Sequence, residues 1–197
     1  MRIKFIIILV FYITISNQNS IASNIISKNF NRNLIYTIDQ YANDVHHEIK
    51  GERETIFKDE FFENNGYLLV YVSQPKNINL SSDQLALNTA FYILHDKRSA
   101  YRWYKGSVKG FLKGIKDKNP NVKLNQIQGL DNWYEYISGY TLINKETNES
   151  IGTSLIIMHD RKLLIFSVSS KPLGDSDNIK KILSPWLSSL FSYTPIQ

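Results

Sequence analysis

The sequence contains no cysteine. The protein therefore has no disulfide and no thiolate ligand for a metal, and no cysteine follows the N-terminal apolar run that could carry a lipid. Small exported domains of animals usually contain disulfides, so a cysteine-free exported domain must depend on its hydrophobic core. If this chain is exported, the absence of cysteine favours a bacterial protein, either periplasmic or secreted.

Long apolar runs are also missing. The N-terminal run, residues 5–15, is interrupted by one threonine and is too short for a membrane-spanning helix, which needs about 20 residues. Arg2 and Lys4 precede this run, and Ser20-Ile21-Ala22 places small residues at the positions that signal peptidase requires. This order predicts a cleavable signal peptide over residues 1–22 rather than an uncleaved anchor.

The rest of the chain, residues 23–197, lacks a linker rich in proline or glycine and lacks internal repeats. We therefore expect a single domain after the signal peptide, with a poorly defined stretch at 23–33. The formal net charge is +5, and two of the basic residues belong to the predicted signal. The remaining positive charge is mild, so nucleic acid is not an expected partner.

Motifs for catalysis and cofactor binding are absent as well. The sequence has no Gly-x-Ser-x-Gly elbow, no His-Glu-x-x-His and no phosphate-binding glycine loop. His46 and His47 are adjacent and would point to opposite faces of a strand, which disfavours a shared metal. His95-Asp96 and His159-Asp160 follow apolar strands, and we interpret both pairs as turn residues. We predict no catalytic residue, no metal and no cofactor, and a dispersed histidine site remains the alternative.

Hydrophobic periodicity predicts strands and two helices from residue 66 onward, whereas residues 23–66 show no clear pattern. The expected extended segments are 67–72, 122–128, 133–144, 151–159 and 162–169. Residues 80–95 are ambiguous, because Ser82 could cap a helix whereas 89–94 has the composition of an extended segment. One amphipathic helix is expected at Ser99–Lys116, and a second follows the apolar spacing from Ile179 to Phe191. Pro185 either kinks the second helix or begins a new turn capped by Ser184.

Four local features follow one another between residues 80 and 191. They are Asn119-Pro120 after the first helix, Gly129-x-x-x-Trp133-Tyr134 before a strand, the hairpin Asp160-Arg161-Lys162-Leu163-Leu164 and Ile182-Leu183-Ser184 in the closing helix. With the order helix, antiparallel meander and helix, they resemble PsbP-like domains. The resemblance implies an α+β fold in which helices flank an antiparallel sheet, an α/β/α sandwich. It also implies an exported or organelle-lumen accessory protein, mostly without catalysis, and carries over no functional residue.

The first helix has the most distinctive surface in the sequence. Its apolar face contains Tyr101, Tyr104, Val108, Phe111, Leu112 and Ile115. A separate basic stripe contains Arg98, Arg102, Lys105, Lys109, Lys113 and Lys116. Gly106, Gly110 and Gly114 form a third row and are expected to allow close packing against another element, because each glycine costs about 0.8–1 kcal/mol in a helix. Trp103 lies off the apolar face and is a candidate contact residue.

The basic stripe suggests what the protein binds. Residues 97–123 contain nine basic residues and one acidic residue. A solvated helix face is the plainest interpretation, and a docking surface for an acidic protein partner is the functional one. An anionic membrane surface is a further possibility. We predict an exported, non-enzymatic protein-binding or accessory protein, such as an immunity or secretion-system accessory factor. The alternatives are an exported hydrolase with a dispersed histidine site and an envelope-surface protein held by the basic helix.

Overall fold

The computed structural model describes residues 32–49, 51–62, 66–76 and 85–195. The predicted signal peptide, residues 1–22, and nearly all of the stretch 23–33 lie outside these ranges. Within them, no helix is both long enough and apolar enough to cross a membrane.

Seven strands in the described ranges form one antiparallel sheet. The strands are β1 (Arg53–Phe62), β2 (Gly66–Pro75), β3 (Ala86–Ile93), β4 (Val122–Gln126), β5 (Tyr136–Asn144), β6 (Ser150–His159) and β7 (Lys162–Ser169). Their order across the sheet is β1-β2-β3-β7-β6-β5-β4. Strand β6, next to the central strand β7, is buried from residue 151 to 158, because helices cover both faces of the sheet near its centre.

In the same described ranges three helices accompany the sheet: α1 (Ile38–Asp44), α2 (Lys97–Lys118) and α3 (Ser176–Ser192), with a 3₁₀ turn at Arg32–Leu34. Each begins at a side chain that accepts a hydrogen bond from an amide of the first turn. Thr37 caps α1 in a capping box with Gln40. Asp96 accepts from the Ser99 amide at 2.6 Å, and Asp175 accepts from the Asn178 amide at 2.9 Å.

The helices lie on opposite faces of the sheet, and each face has its own core. Helices α1 and α3 share one core with alternate strand residues such as Leu69, Phe91 and Phe166. Helix α2 covers the other core, which includes Ile156 and Met158. The result is an α+β fold with an antiparallel sheet between helical layers, as the sequence predicted.

Most of the predicted elements are confirmed, with corrections at their ends. Helix α2 is two residues longer at each end than expected. Strand β5 begins at Tyr136 and not at residue 133, because residues 131–135 form a turn in which Asn132 has a φ of +65°. Ser184 caps no new turn: its hydroxyl donates backward to the Lys180 carbonyl, and α3 continues through Pro185 as one helix.

Strand β1 was not predicted, because it is an edge strand. In the described ranges it pairs only with β2, so one side of its backbone faces away from the sheet. Its sequence mixes charged and apolar residues, and Ile56 is 58% exposed. A strand that buries little apolar surface leaves a weak periodic signal in its sequence.

Trp186 joins helix α3 to the segment that precedes α1. Its indole N–H donates to the Leu34 carbonyl at 3.0 Å. The ring stacks on Tyr36 with centroids 5.0 Å apart and contacts Phe166 at 5.7 Å. The Tyr36 amide in turn donates to the buried Tyr71 hydroxyl at 2.8 Å. These contacts fix residues 34–36 on the α3 side of the sheet.

A β-bulge interrupts the pairing of β5 with β6. Leu142 pairs with Gly152, whereas Ile143 pairs with Ser150, so Ile151 is the extra residue. Gly152 lies directly beside the bulge, where β7 comes very close. A Cβ on Gly152 would lie 2.5 Å from the Val168 carbonyl oxygen. The bulge therefore requires glycine at this position for reasons of space.

Candidate functional site

Helix α2 is held against the sheet by one apolar face. Ala100, Phe111 and Ile115 are buried in this face, and Phe111 contacts the Tyr140 ring of β5 with centroids 5.5 Å apart. Asp96 caps the N-terminus, and Lys116 and Lys118 in the last turn suit the negative end of the helix dipole. The burial of this face leaves the opposite face of the helix to the solvent.

The basic stripe lies on that solvent face. All six of its members are exposed, namely Arg98, Arg102, Lys105, Lys109, Lys113 and Lys116. None of the ion pairs between described residues involves any of them. The Lys105 ammonium lies 5.4 Å from the Tyr101 ring centroid, which is a cation–π distance. The sequence therefore placed these residues correctly on one exposed face, and their role in binding stays a prediction.

Trp103 borders the stripe and is 48% exposed. Its ring packs on Tyr92 of β3 with centroids 5.2 Å apart, and burial raises the pKa of Tyr92. The side chain is thus fixed on one side by the sheet and open to solvent on the other. A rigid, half-exposed tryptophan has the properties of an interface anchor.

The glycine row does not have the role that the sequence suggested. A Cβ built on Gly106 or on Gly110 meets nothing within 4 Å. The prediction of close packing against another element is therefore wrong for these two positions, since both face open space within the described structure. Two glycines inside a helix lower its stability, and no contact inside the described part of the protein offsets that loss.

The other flank of α2 is aromatic. Tyr101 and Tyr104 contact Tyr136 of β5 at centroid distances of 4.7 Å and 5.7 Å. The Tyr104 and Ser138 hydroxyls are 2.7 Å apart and share a hydrogen bond. Tyr101 and Leu112 are exposed, so the predicted apolar face is wider than the face that the helix buries.

The four histidines lie at two opposite ends of the sheet. His46 and His47 follow α1 in a turn, where His46 has a φ of +52°, and the assumption that they lie on a strand was wrong. His95 lies in the bend after β3, and its neighbour Asp96 caps α2 and is no turn residue. His159 is the last residue of β6, and only its neighbour Asp160 lies in the predicted turn. Within the described ranges, no group of three or more histidine or acidic side chains is placed to hold a metal.

Glu135 lies between charged side chains at the end of the sheet where a turn joins β6 to β7. Its carboxylate lies 2.7 Å from the Lys97 ammonium and 3.7 Å from Nδ1 of His159. The hydrogen bond from Lys97 lowers the pKa of Glu135 and raises that of Lys97. No pattern in the sequence indicates this cluster, because its members come from three separate segments. All of them are open to solvent, so the hydrolase alternative gains no enclosed site from them and stays a prediction.

The Glu135 ion pair makes a testable contribution to acid stability. Because its folded pKa is below its unfolded value, Glu135 stabilises the fold above an unfolded pKa of about 4.3. That stabilisation is lost as the pH falls through the folded pKa. We expect Glu135→Gln to lower the urea midpoint slightly at pH 7, and we expect this difference from the wild type to disappear as the pH falls below the folded pKa. Glu149→Gln, which neutralises another exposed carboxylate, is the control, and an equal pH dependence in the two variants would contradict the assignment.

Comparisons with known proteins give little further information. No family model matches the chain, and no curated protein sequence matches it. A similar solved structure is the crystal structure of the extracellular domain of PknH from Mycobacterium tuberculosis, with 7% identity and a TM-score of 0.47. The similarity covers 81% of this chain and 94% of that domain. Similarity at this level is too low to support a conclusion about function.

Proposed function

We propose that this protein is an exported, non-enzymatic recognition module that binds an acidic protein partner through α2. The observation that supports the proposal is the exposed basic stripe, whose six charges form no ion pair among the described residues. Such a surface attracts an acidic partner over long distances and orients it during encounter. Half-exposed Trp103 beside the stripe supplies an apolar contact.

The spacing of the charges argues against an ordinary solvated face. Arg98 and Arg102 are four residues apart, and so are Lys105 and Lys109 and then Lys109 and Lys113. Like charges at this spacing destabilise a helix by about 0.2–0.5 kcal/mol per pair. A solvated helix usually alternates the sign of its charges, whereas this face has basic residues alone. An acidic partner would remove the repulsion.

Export and the identity of the partner are narrower parts of the proposal. Export rests on the signal predicted at residues 1–22, which would deliver the protein to the periplasm or the medium. An immunity protein or a secretion-system accessory factor is the specific version that we propose, because such factors act in those compartments by binding other proteins.

The proposal is tested by charge reversal with a matched control. Arg102→Glu with Lys109→Glu reverses two charges of the stripe. Lys171→Glu with Lys181→Glu makes the same change at exposed positions outside α2. Residues 23–197 of each variant, tagged at the C-terminus, are used to capture partners from the source cell at physiological ionic strength. We expect one stoichiometric acidic protein, bound at least about 100-fold more weakly by the stripe variant and normally by the control.

Two results would contradict this function. Equal binding by both variants would place the interface outside the stripe. Binding of the wild type to phosphatidylglycerol vesicles, with no protein captured, would instead favour the envelope-surface alternative. Circular dichroism of both variants shows whether the fold is retained, so that loss of binding is not confused with unfolding.

A further inference from the structure

Strand β1 forms an open edge of the sheet. Within the described ranges it pairs only with β2, in a continuous register from Arg53 to Phe62. Its 10 residues make it long for an edge strand, and it contains neither a proline nor a bulge, two common means of protecting an edge. The opposite edge strand, β4, has 5 residues and includes Lys123. The β1 edge is therefore the one better suited to accept another strand.

The backbone of β1 directs alternate hydrogen-bonding groups away from the sheet. The Lys76 amide donates to the Glu52 carbonyl at 3.0 Å, at the position next to the Arg53–Pro75 pair. Opposite residues in an antiparallel pair alternate between those that exchange hydrogen bonds and those that do not. Even-numbered residues of β1 therefore face β2 with their N–H and C=O groups, and odd-numbered residues direct theirs outward. Pro75 agrees with this alternation, because it has no N–H to donate to Arg53.

An apolar side chain lies in the middle of this edge. Ile56 is 58% exposed, although isoleucine is usually buried. It pairs with Val72 of β2, which is itself only half-buried. A further strand with an apolar residue opposite Ile56 would extend this row and remove the side chain from water.

We infer that β1 pairs antiparallel with β1 of a second copy of this chain, about a two-fold axis at Ile56. Outward groups pair with outward groups, so Thr55 lies opposite Phe57 of the second copy and exchanges two backbone hydrogen bonds with it. The two Ile56 residues then face each other without hydrogen bonds, in the type of pair whose side chains lie closest. The inference is independent of the proposed function, since β1 contains no residue of the basic stripe.

Charge complementarity supports this register. Glu54 lies opposite Lys58 of the second copy, and the symmetry repeats the contact, so two ion pairs form across the edge. Lys58 also pairs with Glu60 of its own chain at 2.8 Å. At the end of the pairing Glu60 lies opposite Glu52 of the second copy, and Lys76, 2.7 Å from Glu52 in its own chain, offsets that repulsion.

Neighbouring two-fold registers place like charges opposite one another. An axis at Phe57 brings Glu54 opposite Glu60 of the second copy. An axis at Lys58 or at Asp59 brings that charged residue opposite itself. Like charges directly opposite destabilise a strand pair, so the sequence of β1 favours the axis at Ile56.

The register also determines how the two copies are oriented. Opposite residues share a face of the joint sheet, because odd-numbered residues pair with odd-numbered ones. Both α2 helices then lie on the same side of that sheet. The two basic stripes of the dimer are therefore displayed in one direction.

The test is the association of residues 23–197 with themselves, measured by sedimentation at physiological ionic strength. We expect a monomer–dimer equilibrium with a dissociation constant in the micromolar range, as for other small interfaces. Glu54→Lys alone or Lys58→Glu alone opposes like charges twice in each dimer, so each should dimerise about tenfold more weakly. Mixing the two variants restores both ion pairs, and a heterodimer should form with the affinity of the wild type. Lys181→Glu, an exposed change on α3, is the control and should dimerise normally.

A second pair of variants tests the backbone contact. Thr55→Pro and Thr55→Ala both lose the hydroxyl that lies 3.0 Å from the Ser73 hydroxyl. Only the proline variant also loses an outward N–H. We expect Thr55→Pro to abolish the dimer and Thr55→Ala to retain it, with circular dichroism showing that both are folded.

Three results would overturn the inference. The first is a wild type that stays monomeric up to millimolar concentration, which would leave the β1 edge to a segment of another protein. The second is single charge variants that dimerise like the wild type, and the third is a mixture of them that fails to associate. None of these results affects the capture experiment on α2, so the dimer and the proposed function fail separately.

Discussion

Replacing Trp186 with alanine is expected to lower the free energy of unfolding by about 3–5 kcal/mol, a large part of the stability of a domain of this size. The substitution removes a buried ring that packs on Tyr36 and Phe166, and the neighbours can only partly close the cavity. It also removes the N–H donor of the Leu34 carbonyl. An unsatisfied buried carbonyl adds to the loss.

The measurement is a urea denaturation curve followed by circular dichroism. Trp186→Phe is the matched control, because it retains an aromatic ring and loses the hydrogen bond, and we expect a loss of about 1–3 kcal/mol. Hydrogen exchange should also accelerate at Tyr36 and Tyr41 in the alanine variant, since Trp186 joins that segment to α3. A loss below that of the phenylalanine variant, or unchanged exchange at both tyrosines, would show that the segment is held by other contacts.

The second large effect is expected at Gly152, where adding one methyl group should destabilise the fold by about 1–3 kcal/mol. The new Cβ would lie 2.5 Å from the Val168 carbonyl oxygen. That oxygen belongs to the backbone of the central strand β7, so relief requires β6 and β7 to move apart. The strain cannot be removed by a rotamer change.

Gly110→Ala is the matched control, because the same methyl group enters open space on α2. We expect it to stabilise the fold by about 0.5–1 kcal/mol through helix propensity. The two variants therefore shift the urea midpoint in opposite directions. Destabilisation by Gly110→Ala would show that the helix surface at Gly110 is not open, and an unchanged midpoint for Gly152→Ala would show that the bulge relaxes easily.

The elements with strong local signals were predictable from the sequence. Helix α2 was predicted from its apolar face and the terminating Asn119-Pro120, which act within a few residues. Its cap, Asp96, was interpreted as a turn residue, so the predicted start was two residues late. The β6–β7 hairpin was equally clear, because its two apolar strands flank the short turn Asp160-Arg161. The order of these elements implied the fold class through its resemblance to PsbP-like domains, and the resemblance itself stays a prediction.

The N-terminal part was missed for two different reasons. The capping box of Thr37 and Gln40 was present in the sequence and would have located the start of α1. Strand β1 had no comparable signal, because an edge strand with exposed Ile56 need not alternate cleanly. The position of β1 depends on its pairing with β2, and hydrophobic periodicity along the chain does not indicate such non-local contacts.

The candidate site was predicted in part. The basic stripe follows from helical spacing alone, so the sequence identified its six members. The Glu135 cluster was hidden, because Lys97 and His159 meet that carboxylate only in the folded sheet.

The packing of Trp186 on the segment before α1 also determines how the protein can be presented on a surface. Residues 32–44 and helix α3 lie in one layer, and α2 lies in the other. Both ends of the described chain therefore emerge on the side remote from the basic stripe. If either end attaches the molecule to a bead, a sensor chip or a cellular support, α2 faces the bulk solution. Its cationic face is then open to diffusing partners.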